Sequence, residues 1–129
     1  MAGTGARAID RAWLTAAGQA QPDGTQQASF PPVGSGEEWE IDAIVLSTKP
    51  YTPCQAALYL DDVSPPNFLT KSLDAGQDVF EGLMLIESGR ALVIVWTGAG
   101  SAGTSARIHR TRLHVENLPV DPTLLRRFA

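Results

Sequence analysis

Apolar and polar residues alternate along the chain from Trp39 onward. Trp39, Ile41, Ala43 and Val45 are separated by Glu40 and Asp42, the period-2 signature of a strand with one buried face. Ile44 and Leu46 make its far end apolar on both sides. The same period recurs over Cys54–Leu60, and shorter strands are predicted over Phe68–Leu73 and Leu83–Ile86. Ala91–Thr97 (ALVIVWT) is β-branched and apolar on both faces, which predicts a central strand. The last strand, Thr104–Val115, has apolar residues at even positions (Ala106, Ile108) and then at odd ones (Leu113, Val115). One regular strand with one buried face does not do both, so a β-bulge is predicted between His109 and Thr111. Pro31-Pro32, Asp61-Asp62, Pro65-Pro66-Asn67, Asp74-Ala75-Gly76 and Glu87-Ser88-Gly89-Arg90 punctuate these runs as turns and loops.

The first 38 residues are different. They are rich in Ala, Gly, Gln and Thr, and their large apolar members are few: Ile9, Trp13, Leu14, Phe30 and Val33. Such a segment cannot build a core of its own. It is predicted to supply one strand, Thr25–Phe30, and otherwise to form an extended N-terminal arm over residues 1–24. At the other end, Asp121 followed by Pro122 predicts one short helical turn in a tail over 118–129. Several short strands with closely spaced turns, and no alternating βαβ units, give the expected fold class: an all-β antiparallel β-sandwich of jelly-roll type over residues 25–117, with the arm in front of it. Its expected core is Trp39, Ile41, Val45, Leu58, Leu60, Val93, Val95, Ile108, Leu113 and Val115.

Composition narrows the function. The 129 residues, 43% hydrophobic and 19% charged, suit one folded domain. A net charge of −4 argues against nucleic-acid binding, which favours a basic balance. The longest apolar run is too short to span a bilayer, and MAGTGARAID lacks the apolar stretch of a secretory signal, so no membrane partner is expected.

The chemical motifs have plain readings. Gly98-Ala99-Gly100-Ser101-Ala102-Gly103 matches G-x-G-x-x-G, but the following TSARIHRTRLHV has strand alternation and not the helix that would hold a pyrophosphate, so it is expected to be a hairpin loop. His109 and His114 are five apart and face opposite ways on a regular strand. Asp61, Asp62, Asp74, Asp78 and Glu81 lack calcium-loop spacing. Cys54, the single cysteine, is expected to be a buried small apolar residue. Arg107, Arg110 and Arg112 lie on the last strand, where Arg110 and Arg112 share a face and are expected to pair with acids of a neighbouring strand or subunit. No catalytic group, cofactor or metal site is expected.

Several segments together resemble a known family. They are Gly36-Glu37-Glu38-Trp39-Glu40-Ile41-Asp42-Ala43-Ile44-Val45, Ala57-Leu58-Tyr59-Leu60-Asp61, Pro65-Pro66-Asn67-Phe68-Leu69, Asp74-Ala75-Gly76-Gln77-Asp78 and the run from Gly89 to Ala99. Over roughly residues 30–115 the chain resembles small accessory virion proteins encoded in the structural gene clusters of tailed phages of actinobacteria. The resemblance implies a non-enzymatic β-sandwich located in the virion, decorating or completing the head or the tail, with other virion structural proteins as partners. On this reading the arm is the anchor, with Trp13 and Leu14 as apolar contacts and Arg7 and Arg11 as supporting charges. A homo-oligomer is expected, a trimer first and a dimer next. The alternative is a carbohydrate-binding sandwich, since jelly rolls host lectins. Its aromatic platform would come from Trp39, Tyr51, Tyr59 and Trp96.

Overall fold

The computed structural model describes residues 4–117, and the predicted helical turn at Asp121 lies outside them. Strands occupy most of this length: β1 (Thr4–Ala17), β2 (Gln19–Ala20), β3 (Gln26–Ser29), β4 (Glu37–Lys49), β5 (Gln55–Leu60), β6 (Phe68–Ser72), β7 (Gln77–Ile86), β8 (Leu92–Thr97) and β9 (Gly103–Asn117). A 3-10 turn over Pro65–Asn67 begins on two prolines, whose fixed φ suits it. All pairings are antiparallel and form two sheets, in the orders β1-β9-β4-β7 and β2-β3-β8-β5-β6. The chain is an all-β sandwich, and its core takes Ile41, Ile44, Leu46 and Ile108 from the first sheet and Leu58, Leu92, Ile94 and Trp96 from the second.

That core corrects part of the expected one. Trp39, Ile41, Leu58 and Ile108 are inside, and Leu60 packs partly against them. In β4, however, Asp42, which faces two residues of β7, Gly82 and Leu83, is an extra residue opposite β9. It flips the alternation, so Ile44 and Leu46 follow Ile41 inward and Val45 is only half-buried on the other face. In β8 the inward set is Leu92, Ile94 and Trp96; on the opposite side of the strand Val93 is buried, as expected, and Val95 is only half-buried. Leu113 and Val115 are half-buried and outside the core.

The bulge expected in β9 is not there. β9 pairs without an interruption of its own, and the extra residues belong to the strands beside it, Ile9 in β1 and Asp42 in β4. The change of apolar parity has another cause. After Ile108 the inward positions of β9 are filled by Arg110 and Arg112, which point over the end of the sandwich. Arg110 pairs with Asp10 and lies 5.2 Å from the Trp39 ring; Arg112 is 2.9 Å from Asp10 and 3.6 Å from Glu37. Pairing with acids of neighbouring strands is therefore as expected for these two arginines. The Arg110 hydrogen bond, helped by Arg112, holds the Asp10 carboxyl below the usual carboxylate range.

The N-terminal segment is not an arm in front of the sandwich. Thr4–Ala17 runs antiparallel to β9, from the Thr4–Asn117 pair to the Ala17–Ser105 pair. Ala12, Leu14 and Ala16 turn inward, and Leu14 and Ala16 pack against the core. Small residues suffice there because β9 already supplies the backbone partners, and β1 covers an edge that would otherwise be open. At Gly18 the chain passes from the first sheet to the second. Its N–H donates to the Thr104 carbonyl at 2.9 Å, and a Cβ at this position would sit 1.8 Å from Thr104 Oγ1. The G-x-G-x-x-G segment is the loop between β8 and β9, with Gly98 and Gly100 at φ 86° and 60°.

Candidate functional site

Register brings four side chains from four strands into one transverse row on the outer face of the first sheet. Trp13 of β1 is opposite His109 of β9, His109 is opposite Ala43 of β4, and Ala43 is opposite Glu81 of β7. The bulge at Asp42 lies in the same row, and β7 is irregular beside it, where Gly82 has φ 133°. Bulges re-aim side chains. Here Asp42 is exposed next to Ala43 and its Oδ1 lies 2.7 Å from His109 Nδ1.

The small side chain of Ala43 leaves a depression of about 370 Å³ bordered by Trp13, Asp42, Glu81 and His109. The Trp13 ring is tilted against the His109 ring at 5.1 Å, and the Arg107 guanidinium lies 4.8 Å from the Trp13 centroid. Arg107 is thus held by the electron-rich face of the indole, yet Trp13 remains 47% exposed. The site offers one aromatic face and, around it, two carboxylates, an imidazole and a guanidinium. It can stack on a ligand and hydrogen-bond its rim.

The four anchor residues expected from the sequence do not form one surface. Trp13 and Arg11 are exposed on the outer face, and Arg7 is exposed opposite His114. Leu14 faces the core, because neighbours on a strand point to opposite sides. It is half-buried against the core and does not share a surface with Trp13. The expected aromatic platform is not assembled either. Trp96 is fully buried and Trp39 nearly so, while Tyr59 packs edge-on against Phe68 and the Tyr51 hydroxyl donates to Asp74. Cys54 is buried, and that burial pushes its thiol pKa up. Among the described residues no group of three or more His, Cys, Asp or Glu side chains could hold a metal ion.

A second surface was not anticipated. Edge strands β6 and β7 form one open side of the sandwich, and Phe68, Leu69, Leu73, Val79, Leu83 and Leu85 are exposed along it. Leu73 and Leu83 reach 76% and 67% exposure. Between the two edges is an opening of about 160 Å³, bordered by Thr70 on β6 and by Phe80, Leu83 and Met84 on β7.

No family model matches this chain, and no curated protein matches it. Among solved structures the chain is similar to a family two carbohydrate esterase from Cellvibrio japonicus, at 18% identity and a TM-score of 0.33, over 95% of this chain and 37% of that one. The chain therefore spans a little over a third of that enzyme's length.

Proposed function

We propose that this chain is a structural component of a phage virion, a jelly-roll domain that completes the capsid or the tail by packing its β6–β7 side against other virion proteins. The observation that carries this reading is the concentration of exposed leucines, with Phe68 and Val79, on two neighbouring edge strands and the turn between them. Surfaces of that kind on a small domain are usually covered by a protein partner. The strand orders support the jelly-roll assignment. With β2 taken as an extension of β3, the orders β1-β9-β4-β7 and β3-β8-β5-β6 are those of two interlocked Greek keys. The resemblance to accessory virion proteins of actinobacteriophages supports the virion. Its quoted segments lie on β4, the end of β5, the β6–β7 turn and β8.

The test is occupancy on particles lacking the protein. Removal of residues 1–24 cannot serve, since it would take β1 out of the first sheet. Leu83→Asp and Leu85→Asp leave the core alone and place charge on the exposed side. Wild-type protein is expected to bind the particles, and each variant to lose at least tenfold in occupancy while keeping its β-sheet circular dichroism. Full occupancy by both folded variants overturns the assignment of this side as the docking surface, and absence of wild-type binding to heads and tails alike overturns the virion role.

A further inference from the structure

We infer that the depression around Trp13 is a binding site for a neutral carbohydrate, recognised by stacking of a pyranose ring on the exposed indole face. This goes beyond a structural role and does not depend on it.

Arg107 and His109 lie against the ring from β9, and the ring is nevertheless 47% exposed. An indole that is 47% exposed and already in contact with two side chains is held in place before any ligand arrives, so little ordering is left for binding to impose.

The rim determines the ligand class. Asp42 and Glu81 border the depression, and Asp42 is itself oriented by the His109 ring. Antiparallel neighbours are about 4.8 Å apart, so the row from β1 to β7 is about 14 Å across, with Ala43 as its low point. A ligand seated there needs an apolar face for the indole and hydrogen-bond donors around its edge for the two carboxylates. A pyranose has both. Its axial C–H groups carry partial positive charge toward the negative ring face, and its equatorial hydroxyls reach outward in the plane of the ring. A phosphate or a sugar acid would meet Asp42 and Glu81 with charge of the same sign on a chain of net charge −4. A purely apolar peptide side chain would leave both carboxylates desolvated without partners. A neutral oligosaccharide meets neither objection.

The experiment uses the full chain on a glycan array of neutral hexose and N-acetylhexosamine oligosaccharides, with sialylated and uronic-acid glycans as acidic arms. The strongest neutral hit is then titrated in solution. Trp39 and Trp96 are buried, so Trp13 is the tryptophan that iodide can reach, and a bound sugar should protect it from quenching. Wild-type protein is expected to bind at least one neutral glycan. Trp13→Ala should weaken that binding at least tenfold, Trp13→Tyr should retain most of it, and Asp42→Asn and Glu81→Gln should each weaken it severalfold. The inference is overturned if no neutral glycan binds above the Trp13→Ala background, if only acidic glycans bind, or if Trp13→Ala binds as the wild type does.

Discussion

Gly18→Ala should be among the most damaging single-methyl additions in this protein. The new Cβ would lie 1.8 Å from Thr104 Oγ1 and 3.1 Å from Thr104 Cβ. Thr104 is buried, and its hydroxyl donates to Gln26 Oε1 at 2.8 Å. Gln26 in turn donates from Nε2 to the Ala102 carbonyl at 2.8 Å. Two routes relieve the clash. Thr104 can rotate and leave the buried Gln26 oxygen unpaired, at a cost of about 1–3 kcal/mol. Alternatively β1 can move off β9, a form of overpacking that costs a similar ~1–3 kcal/mol. A loss of about 3 kcal/mol, the upper end of either route, corresponds to a fall in Tm of about 10 °C for a domain of this size. Urea denaturation followed by tryptophan fluorescence measures it. Gly24→Ala is the control: Gly24 has φ +85° and nothing within 4 Å, so only backbone strain of about 1 kcal/mol is expected. In a Thr104→Ala background the hydroxyl is gone, and Gly18→Ala should then cost at least ~1 kcal/mol less, as expected for residues in contact. The reasoning is refuted if Gly18→Ala costs no more than Gly24→Ala, or if its cost is unchanged by Thr104→Ala.

Three further outcomes are expected. Asp10 is held below the usual carboxylate range by Arg110, and Asp61 is lowered by the Ala91 N–H and by Arg90. Because the folded values are lower, each contributes stability that is present above the unfolded pKa and is lost as pH falls through the folded one. The urea midpoint should therefore drop below about pH 4, and the drop should be shallower in Asp10→Asn; an identical acid profile in that variant would count against the pairing. Burial raises the Cys54 thiol pKa, so native protein should react with a thiol reagent at pH 8 far more slowly than urea-unfolded protein; equal rates would contradict the burial. Light scattering of the purified chain should give a homotrimer, or failing that a dimer, and a stable monomer at micromolar concentration would remove self-association as a property of the isolated domain.

The strands were largely readable from the sequence because half-buried strands carry period 2, and runs such as Trp39–Val45 and Cys54–Leu60 display it. What alternation could not supply was parity where both faces are apolar. ALVIVWT is compatible with Val93 and Val95 inside or with Leu92, Ile94 and Trp96 inside, and the second packing places the largest side chain in the core. A bulge has no sequence signature of its own when its extra residue is an ordinary aspartate, so the flip after Ile41 was hidden. The switch in β9 is visible in the sequence but has another cause, because inward arginines paired with Asp10 and Glu37 look polar along the chain. β1 was passed over for a similar reason: its inward set is Ala12, Leu14 and Ala16, an alternation carried by small residues. Trp13 was singled out from its own chemistry. Asp42, Ala43, Glu81 and Arg107 were not joined to it, since they come from three other strands and only register brings them together.

The pairing of β1 with β9 also determines how the domain would respond to force. Thr4 and Asn117 are partners at one end of the ladder, so the two ends of the described chain lie side by side. Tension applied through them would open the β1–β9 hydrogen bonds one rung after another, like a zipper, and would not load the ladder in parallel. Such a geometry yields at low force however stable the sandwich is at equilibrium. A durable mechanical load has to enter through the faces and lateral edges of the sandwich.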